Sequence, residues 1–268
     1  MHRLLVETSL LEENSPVLPK DAARHLRVVR PKDGEEIELF DGRGKWRAYK
    51  FRASLESGQD TASPLCAVSS VFSAATSSHH LTLFACVTKG SRWDWTVEKA
   101  TELGVTRIVP VVSARTIVRI PQAERAAKCE RWRRIAEDAA RQSDAKWLPE
   151  IVEPVDFDDA LPLVRETTCF IGALTDPPSP PLAAAVAEAR RKADPLKSVS
   201  VFVGPEGDFT PEELAALMAI ATPTSFGPTI LRAETAAIFA VSVLVSACPA
   251  GAAKVEREGP GCSIAQMP

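Results

Sequence analysis

From Leu81 onward, short apolar runs alternate with stretches whose apolar residues recur every three or four positions. The runs Leu81–Thr88, Arg107–Val112, Cys169–Leu174 and Val199–Val203 have the length of buried strands and lie between turn residues. Between and after them, helical periodicity predicts Trp93–Leu103, Ala123–Ser143, Leu182–Ala193 and Pro211–Ala221. On the longest of these, Cys129, Trp132, Ala136 and Ala139 share one stripe, and Arg131, Arg133, Arg134 and Arg141 fall largely outside it. Strands alternating with helices in this way predict an α/β domain, its parallel sheet covered on both faces.

The first 75 residues follow another pattern. A short helix over Lys20–Val29 places Ala23, Leu26 and Val29 on one face and is stopped by Pro31. Glu36–Phe40, the turn Asp41-Gly42-Arg43-Gly44 and Lys45–Ser54 then read as a hairpin, with a third strand at Ala67–Phe72. No strand–helix alternation occurs here, so a small β-barrel is the expected closure. The small residues Ser73–Ser78 suggest a linker. The expected domains are therefore 1–75 and 76–248, with 249–268 as a flexible Gly- and Pro-rich tail.

The most informative stretch lies late in the chain. After the run Val199–Val203 come Gly204-Pro205-Glu206-Gly207 and a helix start with Thr210 as N-cap, Pro211 at N1 and Glu213 closing a capping box. Strand, glycine loop and helix in this order can aim backbone N–H groups at a ligand. A second short strand, Thr224–Gly227, opens into another loop and then the apolar helix Thr235–Ala247. Two loops at the carboxyl edge of neighbouring parallel strands form a pocket where open α/β sheets bind ligands.

Composition narrows the class. An apolar content of 45% and a charged content of 25% belong to a globular protein, and no apolar run reaches the ~20 residues of a membrane span. Six scattered cysteines with no CxxC pair argue for reduced thiols, a cytoplasmic setting and no metal site. The net charge of −3 divides into +4 over residues 1–150 and −7 over 151–268, which makes the first half the polyanion-facing part. Arg24, Arg27 and Arg30 share the outer face of the first helix. They read either as solvated charge or as a phosphate-contacting face extended by Arg43, Lys45, Arg47, Lys50 and Arg52. There is no P-loop, G-x-S-x-G, H-E-x-x-H or G-x-G-x-x-G motif.

The series Lys89-Gly90-Ser91-Arg92, Glu98–Val105, Ser113-Ala114-Arg115, Glu137–Ser143, Gly204–Gly207 and Gly227–Ala236, with His25–Arg30 and Phe40-Asp41-Gly42 before it, resembles the RsmE family of ribosomal RNA methyltransferases. The resemblance runs in matching order from about residue 3 to 247. It implies a PUA-like β-barrel followed by a trefoil-knotted α/β domain of the SPOUT superfamily, working as a homodimer. The implied reaction moves the methyl group of S-adenosylmethionine (SAM) to N3 of a uridine in 16S ribosomal RNA of the small subunit. The implied cofactor contacts are Leu174, Thr175, Val203, Gly204, Pro205, Glu206, Gly207, Phe226, Gly227, Ile230, Leu231, Thr235 and Ala236.

Methylation at N3 requires an acceptor for the N3 proton or a cation to stabilise the uridinate. Arg232 and Glu234 are the candidates, with Glu234 either orienting Arg232, accepting the proton or merely complementing a helix start. Lys89, Arg92 and Arg115 are the expected RNA contacts, besides the N-terminal arginines. The chain departs from the family pattern twice: Gly207-Asp208 stands where Gly-Gly is usual, and Asp144-Ala145-Lys146-Trp147 replaces a basic pair. Those departures leave open a catalytically weakened RNA-binding homologue, or a relative acting on another RNA site.

Overall fold

The computed structural model describes residues 2–53, 64–74, 80–164, 167–193, 196–247 and 255–258. They form two compact units. The first is Met1–Thr76 with Ala140–Trp147 and Ala252–Pro268; the second is Ser77–Ala139 with Leu148–Gly251.

In the first unit, β1 (His2–Leu5) lies parallel to β2 (Glu36–Phe40), which forms the expected hairpin with β3 (Lys45–Phe51). The single third strand expected at Ala67–Phe72 is two, β4 (Leu65–Ala67) and β5 (Val71–Ala74), both paired to β3. Residues 54 and 75–78 of the expected hairpin and linker lie outside the described residues. Within the expected flexible tail, β13 (Val255–Glu258) pairs antiparallel with β5. A backbone ladder of this kind leaves little trace in a Val-Glu-Arg-Glu sequence. Helix α1 (Thr8–Leu11) and helix α2 (Lys20–Val29) cover the sheet; α2 buries Ala22 and Leu26 rather than the predicted Ala23 and Val29.

Buried charge fixes this unit's remaining segment. The Arg3 guanidinium donates to Glu38 Oε1 at 2.7 Å and to the Ala140 and Ala145 carbonyls at 2.6 and 2.9 Å. Lys146 Nζ reaches the same Glu38 carboxylate at 2.7 and 2.9 Å. Trp147 fills the space a side chain at Gly44 would need, since a Cβ there would lie 2.3 Å from the indole. Residues 140–147, expected to lie in the second domain, thus group with the first, where buried Arg3 and half-buried Lys146 share the buried acid Glu38.

In the second unit the strands β6 (His80–Cys86), β7 (Arg107–Val112), β8 (Glu150–Ile151), β10 (Thr168–Gly172), β11 (Ser198–Val203) and β12 (Thr222–Thr224) form a parallel sheet. Their order is β12-β10-β11-β6-β7-β8, with β9 (Val155–Asp156) also on β7. Alternation sorts each strand onto two cores. Leu83, Ile108, Phe170, Val199 and Val201 meet α3 (Ser91–Glu102), α4 (Gln122–Gln142), α6 (Leu182–Lys192) and α8 (Ala233–Ala247) on one face. Phe84, Val109, Val111, Ile171 and Phe202 meet α5 (Phe157–Ala160) and α7 (Pro211–Met218) on the other. The predicted stripe of α4 holds: Cys129, Trp132, Ala136 and Ala139 are buried. The last short strand sits two residues earlier than expected, at Thr222–Thr224, because Ser225 onward turns to meet Pro180 and Pro181.

Two outcomes follow. Glu38→Ala removes the acid shared by buried Arg3 and half-buried Lys146 and should lower unfolding free energy by about 3 kcal/mol in urea titrations. Arg191→Ala, which removes an exposed ion pair to Glu188, should stay within about 0.5 kcal/mol. Burial pushes the Cys86 thiol up to about 12 and the Cys169 thiol up to about 11. At pH 8 both stay protonated, so iodoacetamide with peptide mapping should label them only in denaturant.

Candidate active site

The carboxyl ends of β11, β10 and β12 lie side by side, about 4.8 Å apart per strand. Three loops leave that edge: Ala173–Thr175 after β10, Gly204–Phe209 after β11, and Ser225–Arg232 after β12. The sequence-predicted cofactor residues are thus collected on adjacent parallel strands. Val203 is the last residue of β11, and Thr235 and Ala236 lie in the first turn of α8, with Thr235 exposed and Ala236 buried.

The Gly204 loop closes on itself. Asp208 N–H donates to the Pro205 carbonyl at 2.9 Å, and Phe209 N–H to Asp208 Oδ1 at 2.8 Å. The left-handed residue is Asp208, with φ 59°, and not either glycine. A short polar side chain that bonds its own turn tolerates that conformation better than most. Space at Gly204 is tight: a Cβ would lie 3.1 Å from the Phe209 ring, which would have to give by a few tenths of an ångström.

The expected free amides of the α7 N-terminus are engaged internally. Thr210 Oγ1 accepts the Glu213 N–H at 3.2 Å, and Glu213 Oε2 accepts the Thr210 N–H at 2.9 Å. The Glu212 carboxyl is held below its ordinary range by its own backbone N–H and the Thr210 hydroxyl. Carboxylates therefore occupy the positive end of this helix. Any ligand must instead be met by the turn, where the Glu206 and Gly207 amides have no hydrogen bond to another group among the described residues.

On the neighbouring loops, Gly172 ends β10 because a Cβ there would lie 2.4 Å from the Phe226 ring. Phe226 in turn packs at 5.8 Å on Phe239. Thr175 Oγ1 bonds Ser179 Oγ at 2.7 Å, and Gly227 carries φ 127° next to its bond with Ser225 Oγ. Leu231 is half-buried against the core. Leu174 is 73% exposed and Ile230 85% exposed, the two most exposed large apolar side chains described in this unit. They stand on loops that leave adjacent strands.

The catalytic candidates are close in sequence yet unconnected: no hydrogen bond or ion pair joins Arg232 to Glu234. Arg232 is exposed, whereas Glu234 is buried and its Oε2 has no partner. Thr88 Oγ1 and Trp93 Nε1, between β6 and the α3 that packs on α8, are likewise buried without a partner. Such atoms cost about 1–3 kcal/mol each when left unmet.

The predicted RNA residues divide. Arg24, Arg27, Arg30, Arg43 and Lys89 are exposed. Arg92 pairs with Glu206 of the glycine loop at 3.1 Å, and Arg115 donates to the Gly207 and Phe209 carbonyls at 3.0 and 3.2 Å. Arg47 is spent on the Ser69 and Leu11 carbonyls and Asn14 Oδ1, and Lys146 on Glu38. Sequence reasoning singled out Ser113-Ala114-Arg115 but not the contact of the Ser113–Thr116 turn with the start of α7. Its signal was Glu213, whose Oε1 also accepts the Ala114 N–H at 2.8 Å. A cavity of about 320 Å³ beside that turn, lined by Ser113, Arg119, Asp156, Asp158 and Glu213, opens at the β7 and β9 ends, away from the β10 and β12 loops.

Comparison with known proteins agrees with this arrangement. Residues 75–245 match the RNA methyltransferase domain, and residues 18–53 match the RNA methyltransferase PUA domain. The chain is 31% identical over 246 residues to ribosomal RNA small subunit methyltransferase E of Synechocystis sp., covering 90% of this chain and 76% of that one. It is 30% identical to the protein of the same name from Aquifex aeolicus, over 87% and 95% of the two chains. A crystal structure of ribosomal RNA small subunit methyltransferase E from Neisseria gonorrhoeae bound to S-adenosyl methionine gives a TM-score of 0.72 at 27% identity, over 92% of this chain and 97% of that one. With a PUA-type unit followed by an α/β methyltransferase unit, the chain belongs to the RNA methyltransferase family of ribosomal RNA small subunit methyltransferase E.

Proposed function

We propose that this chain transfers a methyl group from SAM to N3 of a uridine in 16S ribosomal RNA. The observation that carries the reading is the pair Leu174 and Ile230, unburied apolar side chains on the loops after β10 and β12, which lie to one side of the self-closed glycine turn after β11. An adenine ring is a fitting cover for such side chains, since burying them removes apolar area from water at roughly 25 cal/mol per Å². The amides of Glu206 and Gly207 and the polar loop groups suit the amino-acid end. When bound, the cofactor supplies an electrophilic methyl group.

The residues would divide the remaining work. Glu234, buried with an unmet Oε2, is the acceptor for the N3 proton, and exposed Arg232 steadies the anionic base. Arg24, Arg27, Arg30, Arg43 and Lys89 contact phosphates. The finer architecture is also part of this reading: a barrel in the PUA-type unit and a trefoil knot formed by threading the segment before α8. Its support is the family membership and the way α8 returns to β6 and β11 after β12 has left the sheet edge. A homodimer is supported by exposed Trp95 on α3 and Phe239 on α8, two helices that pack together. Among the described residues no helix is long and apolar enough to cross a membrane, and the protein would act in the cytoplasm on the small subunit or its RNA.

Nucleoside mass spectrometry of ribosomal RNA from a strain lacking this gene should show loss of 3-methyluridine; loss of a 2′-O-methyl mark instead would overturn the reading. Glu234→Gln should lower kcat by ~10²-fold or more with the SAM Kd nearly unchanged, and a near-normal kcat would remove Glu234 from the mechanism. Gly172→Ala drives a methyl group into the Phe226 ring, an overpacking cost of about 1–3 kcal/mol. It should weaken SAM binding in calorimetry roughly tenfold.

A further inference from the structure

We propose that Arg115 is a positioning residue for the Gly204–Phe209 loop, setting cofactor affinity, and that it is not an RNA phosphate contact. The inference rests on the reading that this loop holds SAM. The strand order makes the contact unusual. Arg115 follows β7, the loop follows β11, and β6 lies between them, so the two connections meet across the carboxyl end of a third strand. One guanidinium nitrogen, Nη1, donates to the Gly207 carbonyl at 3.0 Å and to the Phe209 carbonyl at 3.2 Å. Those two carbonyls bracket Asp208, the left-handed residue on which the turn closes.

The stem of the side chain is fitted as well. Arg115 Cβ and Cδ lie 3.5 and 3.7 Å from where a Gly207 Cβ would be, so the aliphatic part lies along the glycine. The base of the arginine is rigid. Ser113 N–H donates to Thr116 Oγ1 at 2.9 Å, and Thr116 N–H to the Ser113 carbonyl at 3.2 Å. Arg119 holds the Ser113 and Ala114 carbonyls at 3.2 and 2.8 Å, and Glu213 holds the Ala114 N–H. Binding a phosphate through Nη1 would mean releasing two carbonyls from a braced position. A charged donor shared by two carbonyls also polarises those peptides and fixes the spacing of the Glu206 and Gly207 amides between them and Pro205.

Lysine keeps the charge and has donors enough for two carbonyls, but its stem is shorter and its ammonium more strongly hydrated, so it should hold them less well. The test uses full-length wild type, Arg115→Ala and Arg115→Lys, with SAM calorimetry, steady-state kinetics for both substrates, and RNA binding over a salt series. Thermal melts establish that each variant is folded, and Arg115→Met replaces the alanine variant if that one does not fold. Expected are a tenfold or larger rise in SAM Kd and in KM for SAM for alanine, a smaller rise for lysine, KM for RNA within about twofold, and an unchanged salt slope. A normal SAM Kd, or a fall of about 0.7 in the salt slope, would overturn the proposal. Wild type that binds no SAM would overturn the functional reading beneath it.

Discussion

One carboxylate, that of Glu213, holds the site together. Oε2 closes the capping box of α7 on Thr210, and Oε1 takes the Ala114 amide from a turn that begins after β7. A charge-assisted bond to a backbone N–H is stronger than a neutral one, and here two such bonds emanate from one group at a helix start, where negative charge is favoured. The consequence is geometric. The loop after β11 and the turn after β7 are joined over β6, so the glycine turn faces β10 and β12 with its back already supported. The remaining contacts of the site, Arg115 on two carbonyls and Arg92 on Glu206, reinforce that same junction.

Much of this was legible in order and little of it in partnership. Apolar runs located β6, β7, β10 and β11 to within two residues, because strands buried on both faces have no polar positions to blur them. The capping box at Thr210 was readable because all its parts lie within four residues. Strands of two or three residues, such as β8, β9 and β12, carry too few positions for a period to show. The place of residues 140–147 depended on Arg3 and Glu38, more than a hundred positions away, and nothing local could have indicated it. The catalytic candidates and the cofactor loops came from motif resemblance, and their gathering on three adjacent strand ends from the sheet order.

Arginine was the residue most easily misread. Counting basic side chains treats each as available to phosphate, yet Arg47 is turned onto three carbonyls and an asparagine, and Lys146 onto a buried acid. A guanidinium has five donors in a fixed fork and is only weakly hydrated, which suits it to backbone carbonyls left over by irregular loops. The basic residues proposed for RNA that stay exposed are a smaller set, Arg24, Arg27, Arg30, Arg43, Lys50, Arg52 and Lys89. Such charge supplies only non-sequence-specific attraction, so under the proposed function specificity would rest on how the base is received near Arg232 and Glu234.

The two departures from the family pattern can be weighed on the same terms. Asp208 stands at φ 59°, where a second glycine would be unstrained, and non-glycine residues there cost about 1–2 kcal/mol. Its carboxylate recovers part of that cost by accepting the Phe209 amide, so the charge is used within the turn. Lys146, at the replaced basic pair, pairs with Glu38 and lies over the Trp46 ring at 4.8 Å, while Asp144 lies 2.9 Å from the same ammonium. A segment that elsewhere contributes cations here contributes packing to the first unit. Neither change removes a group from the loops after β10, β11 and β12. Gly172 stays clear for Phe226, Glu234 stays buried with its Oε2 unmet, and the glycine loss at Asp208 is compensated within the turn. The backbone strain at Asp208 and the unpaired acid of Glu234 thus both fall in or beside the loops proposed to hold the cofactor and the base, the distribution that the proposed active site leads one to expect.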